Sequence, residues 1–206
     1  PQSLGGQARW TLGGLFMEDT PEQRRLGIKD SRALAASDWM GAAQFDRDDD
    51  AHPRAAAEAL LDFAAGEMRT YLHSLGMRWF PVVGLAERGG AGANGHGNSV
   101  PRFHVTWGTG TGVVKPYADR VSDHAQLTLA SRHRVSALIV EEGVVKGVEG
   151  EVFAADTAVR GASTTRDVTG QFSHRAEAVV LTSGGIGGNH DLVRQQWPVD
   201  RLGQPP

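Results

Sequence analysis

The feature that most constrains this chain is the clustering of its glycines. Of 206 residues 27 are glycine, about twice the share usual in globular domains. They concentrate at Gly5-Gly6 and Gly13-Gly14, between 84 and 112, and between 184 and 188. Because glycine adopts positive φ freely and has no side chain to hold a ligand away, such clusters place the backbone close to a ligand or bend it sharply. Surface turns are the alternative interpretation of any single pair.

Composition excludes several classes of partner. The formal net charge is −3, with 21 basic and 24 acidic residues, so no electrostatic reason exists to expect nucleic acid or an anionic membrane. The absence of cysteine excludes disulfides, thiolate metal sites and a cysteine nucleophile, and it fits a cytoplasmic location. No apolar run approaches the roughly 20 residues that span a bilayer. We therefore expect a globular cytoplasmic protein with a small-molecule partner.

The first half of the chain has the pattern of helices. We predict a helix with a break over 19–45, capped by Asp19 or Thr20. A long amphipathic helix is predicted from Pro53 to Gly76, because its apolar residues recur at helical spacing and glycine favours a helix end.

Between these helices and the second half, we predict a short strand over 77–83 and a glycine-rich loop over 84–112. A third helix is expected over 113–124. Pro116 is tolerable there only in the first turn, because proline lacks the N–H that a helix interior needs.

The second half has the alternation of strands. Two antiparallel strands joined by a hairpin at Glu142-Gly143 are predicted, followed by a polar loop over 155–171. Residues 178–182 (AVVLT) form an all-apolar run, which is typical of a strand buried on both faces of a parallel sheet. Asn189 or Asp191 is expected to cap a helix after the glycines that follow this run.

Two glycine segments have the character of ligand sites. Ser183, Gly184 and Gly185 directly follow the apolar run, and in open α/β sheets ligands bind outside the carboxyl ends of strands. The segment GGQARWTLGG (5–14) offers adjacent N–H groups as an anion nest, with Gln7, Arg9 and Thr11 as polar contacts. A structural turn is the alternative for both.

Taken in order, GGQARWTLGG, PRFHVTWGTGTG, HRVSALIVEEGVVKGVEG and AEAVVLTSGGIGGN resemble the flavoprotein family of fumarate reductase, succinate dehydrogenase and 3-ketosteroid Δ1-dehydrogenase. The resemblance covers essentially the whole chain. It implies an α/β fold with a glutathione-reductase-like, Rossmann-type FAD-binding domain, and FAD as cofactor. By this resemblance the residues near the cofactor are Gly5, Gly6, Gln7, Gly13, Gly14, Val135, Thr182, Ser183, Gly184, Gly185 and Asn189.

The chain departs from the family pattern at both ends. The family opens with a βαβ unit carrying G-x-G-x-x-G, which is absent here, and most of the substrate cap comes later in its sequence. The loose match GTGTGV follows no convincing strand, which also argues against an NAD(P)-dependent enzyme. We therefore expect an internal fragment, with a partial FAD-binding domain over 1–190 and the start of the cap over 191–206.

The resemblance implies a FAD-dependent dehydrogenase or reductase that moves a hydride between the flavin and a C–C bond next to an activating group. Candidates for chemistry are Arg102 and His104, with His96 in the same loop, and structural or cofactor packing is their alternative role. No histidine spacing suggests a metal site. The alternative function is a non-catalytic fragment that self-associates into a homo-oligomer and binds no cofactor.

Overall fold

A computed structural model describes residues 3–85 and 97–205. The chain divides into two compact units. The N-terminal unit is Gly5–Asp123. The C-terminal unit consists of His124–Pro206 together with the four residues before Gly5, Pro1–Leu4. Each unit is described separately.

The N-terminal unit combines a small sheet with helices. Its strands are β1 (Gly14–Phe16), β2 (Trp79–Gly84) and β3 (Phe103–Thr106), which form an antiparallel sheet in the order β1-β3-β2. Its helices are α1 (Pro21–Arg25), α2 (Arg32–Ala43), α3 (Ala51–Ala65), α4 (Met68–Ser74) and α5 (Thr109–Asp123), with 3-10 turns at Gly6–Trp10 and Asp48–Asp50.

The predicted break in the first helix is confirmed, because α1 and α2 are separate. Thr20 caps α1 in a reciprocal capping box with Gln23, so the hydroxyl satisfies an N–H that has no partner inside the helix. The prediction of one long helix from Pro53 to Gly76 is wrong, since α3 ends at Ala65 and α4 starts at Met68. Gly66 interrupts them with a non-helical backbone (φ −98, ψ −103).

Helix α5 begins four residues earlier than predicted, so Pro116 lies in its interior rather than in its first turn. The glycines of TGTG permit this early start. A Cβ on Gly110 would lie 2.2 Å from the carbonyl oxygen of Ala8, and one on Gly112 would lie 1.9 Å from that of Trp107. The first turn of α5 therefore packs backbone against backbone, which only glycine allows at these distances. Strands β1 and β3 were also not predicted.

The core of the N-terminal unit lies between α3, α4 and the sheet. Its buried members are Met17, Ala64, Met68, Leu72, Met77 and Trp79. The apolar faces predicted for 53–76 supply half of this set, because residues three and four apart share one side of a helix.

The C-terminal unit contains a second antiparallel sheet. Its strands are β4 (His133–Glu141), β5 (Val144–Phe153) and β6 (Val168–Arg175), in that order, followed by the short helices α6 (His190–Gln195) and α7 (Val199–Leu202). The predicted hairpin is confirmed. Glu142 and Gly143 both have positive φ (50 and 77), as a two-residue turn that follows the strand twist requires. Strand β6 starts inside the segment predicted as loop.

The buried strand predicted over 178–182 is not formed. This segment has no regular secondary structure, and Val180 and Leu181 are 84% and 65% exposed. No strand of the described residues runs beside it, so its backbone has no ladder to join. The fold-class prediction is thus confirmed only as mixed α/β, because the two sheets that the described residues form are both antiparallel.

None of the helices in the described part of the chain is long and apolar enough to cross a membrane. Nor do the described histidine, aspartate and glutamate side chains come together in any group of three or more that could hold a metal ion.

Candidate functional site

The first glycine segment is a compact turn with one open face. Gly5 and Gly6 both have positive φ (109 and 44) and lead into the 3-10 turn. The Thr11 hydroxyl donates to the carbonyl of Ala8 (2.9 Å) and accepts from the N–H of Gly13 (3.1 Å). Thr11 is therefore used to hold the turn, whereas Gly6 and Gln7 are exposed.

The four glycines of this segment divide by what surrounds them. A Cβ on Gly13 would lie 2.3 Å from the backbone of Thr109, and one on Gly14 would overlap the ring of Phe103 at 1.7 Å. These two predicted cofactor-binding glycines thus have a packing role. A Cβ on Gly6 would meet no atom within 4 Å, so the lack of a side chain there is not explained by packing.

Arg102 lies at the centre of a buried ionic cluster. Its side chain is fully buried, and Nε and Nη2 donate to the two carboxylate oxygens of Asp30, both at 2.8 Å. Nη1 donates to Asp38 Oδ2 (2.6 Å) and to Asn98 Oδ1 (3.1 Å). Two carboxylates around one guanidinium leave the cluster with no net positive charge to offer an anion.

Asp38 also binds Ser99, near the start of the second described segment. Its Oδ2 accepts from the N–H and the hydroxyl of Ser99, at 2.9 and 2.8 Å. Partial burial opposes ionisation, but the hydrogen bonds from Ser99 and Arg102 outweigh it and hold the pKa of Asp38 below its ordinary value.

His104 is buried next to this cluster. Its Nδ1 lies 2.8 Å from the carbonyl oxygen of Arg102, and its Nε2 lies 2.8 Å from the hydroxyl of Thr20. Burial lowers its pKa, so the neutral ring donates from Nδ1 to the carbonyl and accepts at Nε2. Every nitrogen of Arg102 and His104 has a protein partner, and a catalytic role for either stays a prediction. His96 lies outside the described residues.

Glu18 is a buried acid that sequence reasoning missed. It is 2% exposed, and neither carboxylate oxygen has a hydrogen-bond partner in the described part of the chain. Burial, assisted by the negative charge of Asp30, raises its pKa to about 7. A carboxyl that holds its proton near neutral pH can donate or accept a proton. The one signal in the sequence was its place directly after the apolar residues Leu15, Phe16 and Met17.

A cavity of about 460 Å³ opens between α2 and the sheet. Its lining includes the aromatic residues Phe16, Trp39 and Phe103 and the polar residues Asp38, Asn98 and Arg102. Phe16 and Trp39 meet edge to face at 5.4 Å. Its size is within the range of small-molecule sites, and its neutralised arginine favours an uncharged apolar ligand over a carboxylate.

The remaining predicted residues belong to the C-terminal unit. Val135 pairs with Gly150 in the β4–β5 ladder, directly before an irregularity of register. A Cβ on Gly184 or Gly185 would meet no atom within 4 Å, and Gly184 has a φ of 86. Asn189 Oδ1 accepts from the N–H of Leu192 at 3.1 Å, which confirms the predicted helix cap. The two groups of predicted residues therefore lie in different units.

The glycines without packing contacts fit a ligand that lies against backbone. At Gly6, Gly184 and Gly185 the space that a side chain would occupy is open, as close approach of a flat or phosphorylated cofactor requires. Gly6 and Gly184 also need glycine for their positive φ (44 and 86), so open space at these positions fits a ligand-binding surface and a surface turn alike.

Residues 1–204 match the family described as FAD binding domain. The chain belongs to this family, and FAD is the cofactor that the family binds. The match confirms the resemblance drawn from the order of the motifs.

Curated relatives carry the comparison further. The chain is 54% identical over 204 residues to a protein of Mycolicibacterium smegmatis named KsdD-like steroid dehydrogenase. It is 52% identical over the same length to KsdD-like steroid dehydrogenase Rv0785 of Mycobacterium tuberculosis. Each match covers 99% of this chain but only 37% and 36% of the relative. The chain thus spans little more than a third of the length of these relatives.

Proposed function

We propose that this chain is the FAD-binding part of a FAD-dependent dehydrogenase that acts on a steroid. The observation that carries this proposal is the identity of more than half of the aligned residues, over 99% of the chain, to a protein named for that activity. The reaction is a hydride transfer between the flavin and one carbon of a carbon–carbon bond next to an activating group, with an acid or base exchanging a proton at the neighbouring carbon. The hydride chemistry is what the cofactor would supply when bound.

The residues proposed to hold FAD come from the two glycine segments and from strand β4. Gly5, Gly6 and Gln7 form one contact, with Gly13 and Gly14 setting the shape of the turn behind it. Val135 and the segment 182–185 form the other, and Asn189 supports it by capping α6. Each of these contacts uses backbone N–H or carbonyl groups, which bind a cofactor without a bulky side chain between them.

The cavity beside α2 supports an uncharged, apolar substrate class. Three aromatic residues line it, and Arg102 in its lining is already paired with Asp30 and Asp38. A dicarboxylate would need a free cation, because burying an unpaired carboxylate is costly. Of the substrates left open by the sequence, a steroid fits this surface better than a dicarboxylate.

Titration with FAD tests the cofactor part of the proposal. The purified chain should quench flavin fluorescence with a saturable isotherm and retain a yellow colour after gel filtration. Gly185→Val places a side chain in the open space and should weaken FAD binding about tenfold or more, equivalent to roughly 1.4 kcal/mol. Gly170→Val is the matched control, because Gly170 also has open space around it but lies in β6.

A chain that stays colourless after incubation with FAD would contradict cofactor binding. It would instead favour the alternative of a self-associating domain, which the exposed Val180 and Leu181 support. The steroid part is tested on the longer protein that contains this segment. Anaerobic addition of a steroid to its FAD-loaded form should bleach the flavin band, whereas a dicarboxylate should not.

A further inference from the structure

The C-terminal unit has a second, smaller pocket that the proposed function does not use. It has a volume of about 180 Å³, several times the roughly 30 Å³ that one water occupies in the liquid. The residues that give it its chemistry are Ser3, Arg132, Asp156, Arg160 and Thr164. We call it the arginine pocket.

Arg132 is a buried cation without a carboxylate partner in the described part of the chain. It is 7% exposed, and its guanidinium donates from Nε to the carbonyl of Ala154 (2.8 Å) and from Nη2 to that of Thr165 (2.7 Å). It also lies over the ring of Phe153, 5.6 Å from the centroid. Carbonyl dipoles and a ring offset part of the cost of burying a charge, but an anion would offset it more completely.

The backbone of Arg132 adds a second, independent observation. Its φ is 62, in the left-handed region where a side chain is disfavoured and glycine or asparagine is the usual choice. This conformation, directly before β4, directs the guanidinium to the carbonyls of Ala154 and Thr165.

Arg160 brings a second positive charge to the same pocket. Its Nη2 donates to the carbonyl of Leu4 at 2.8 Å, and no carboxylate in the described part of the chain pairs with it. Asp156 is the acid on this lining, and its two oxygens accept from the backbone N–H groups of Ala158 (2.7 Å) and Thr165 (2.5 Å). These hydrogen bonds lower the pKa of Asp156, and the positive charge of Arg132 lowers it further, so Asp156 stays ionised.

The lining therefore carries two cations, Arg132 and Arg160, and one anion, Asp156, whose oxygens already accept backbone hydrogen bonds. Hydroxyl groups of Ser3 and Thr164 lie on the same lining and can donate to an oxygen acceptor. Planar guanidinium groups and hydroxyls together suit an oxyanion with several acceptor oxygens better than they suit chloride or a cation.

We propose that the arginine pocket is a binding site for a phosphate group, either free inorganic phosphate or the phosphate of a monoester. The proposal does not depend on the FAD-dependent activity, because the pocket lining contains none of the residues proposed to hold FAD.

Isothermal titration of the full 206-residue chain with inorganic phosphate at low ionic strength tests the proposal. We expect saturable binding with a stoichiometry near one and competition by sulfate. Arg160→Gln should weaken the affinity about tenfold, because it removes one cation and leaves the carbonyl contacts of Arg132 intact. Arg166→Gln is the matched control, since Arg166 is exposed in the same loop and lies outside the pocket lining.

The outcomes separate the two sources of the phosphate group. Binding of both phosphate and glucose 6-phosphate, with mutual competition, supports a site that accepts monoesters, and binding of phosphate alone supports a site for the free anion. Arg132→Lys keeps the positive charge but loses the planar guanidinium with its paired N–H donors. If the circular dichroism spectrum of the variant is unchanged, phosphate binding should still be weaker. The absence of saturable binding, or equal loss in Arg160→Gln and Arg166→Gln, would overturn the proposal.

Discussion

Because the carboxyl of Glu18 is buried, we predict that the stability of the chain depends on pH. Its pKa is raised from 4.5 to about 7 in the folded chain. Below pH 4.5 the acid is protonated in both states and the shift has no effect on stability. Between pH 4.5 and 7 the unfolded chain releases the proton while the folded chain retains it, so the free energy of unfolding falls as the pH rises. Above pH 7 the full penalty applies, and a shift of this size corresponds to about 3 kcal/mol.

Glu18→Gln removes that penalty, because an amide has nearly the shape of the protonated acid and carries no charge. The variant should match the parent chain at pH 4.5 and exceed its free energy of unfolding by up to about 3 kcal/mol at pH 8. Urea unfolding followed by tryptophan fluorescence measures this difference. Of the 5 tryptophans only Trp197 lies outside the N-terminal unit, so the signal reports mainly on the unit that contains Glu18.

Glu177→Gln is the control, because Glu177 is an exposed glutamate of the C-terminal unit. It should leave the urea midpoint within error at both pH values. The reasoning is refuted if the gain from Glu18→Gln is the same at pH 4.5 and pH 8, since a gain without pH dependence cannot come from ionisation.

Three further substitutions test the packing around the proposed site. Arg102→Leu leaves two carboxylates without their cation and should lower the free energy of unfolding in urea by about 3–5 kcal/mol. Arg32→Leu, which breaks two exposed ion pairs, with Glu58 and Asp62, should cost under about 1 kcal/mol. Gly14→Ala forces the ring of Phe103 aside and should lower the melting temperature, with a cost of about 1–3 kcal/mol. Asn189→Ala removes the cap of α6 and should cost about 1 kcal/mol, seen as faster amide exchange in that helix while the N-terminal unit is unchanged.

Local signals were predictable from sequence because neighbouring residues alone determine them. The hairpin at Glu142-Gly143 needs two residues that tolerate positive φ, and the Thr20 cap needs a hydroxyl at the start of a helix. The break between α1 and α2 was predicted as well, and it includes Gly27, which has a positive φ of 73. Each of these features is decided within about one turn of chain.

Features that depend on distant pairing were missed or misassigned. The cluster around Arg102 joins residues 72 and 64 positions apart in the sequence, at Asp30 and Asp38, and no pattern of charge along the chain indicates which carboxylates meet which cation. Strand β1 is three residues long and gains its place only by pairing with β3. Residues 178–182 are the opposite case, a strand that was predicted but does not form. Their composition is typical of a strand, but no described strand lies beside them to pair with.

The glycine clusters show why composition alone could not separate packing from binding. Gly13, Gly14, Gly110 and Gly112 occur in the same rich segments as the proposed cofactor contacts, yet an added Cβ on any of them would lie within 2.3 Å of another atom. Close approach of backbone to backbone and close approach of backbone to a ligand both require glycine. The sequence alone therefore does not distinguish the two roles. They differ in what substitution does. Alanine at Gly14 should destabilise the chain whether or not FAD is present, whereas valine at Gly185 should leave stability without FAD unchanged and lower it only where the cofactor contributes by mass action. Melting temperatures of both variants with and without FAD therefore distinguish a glycine kept for packing from one kept for the cofactor.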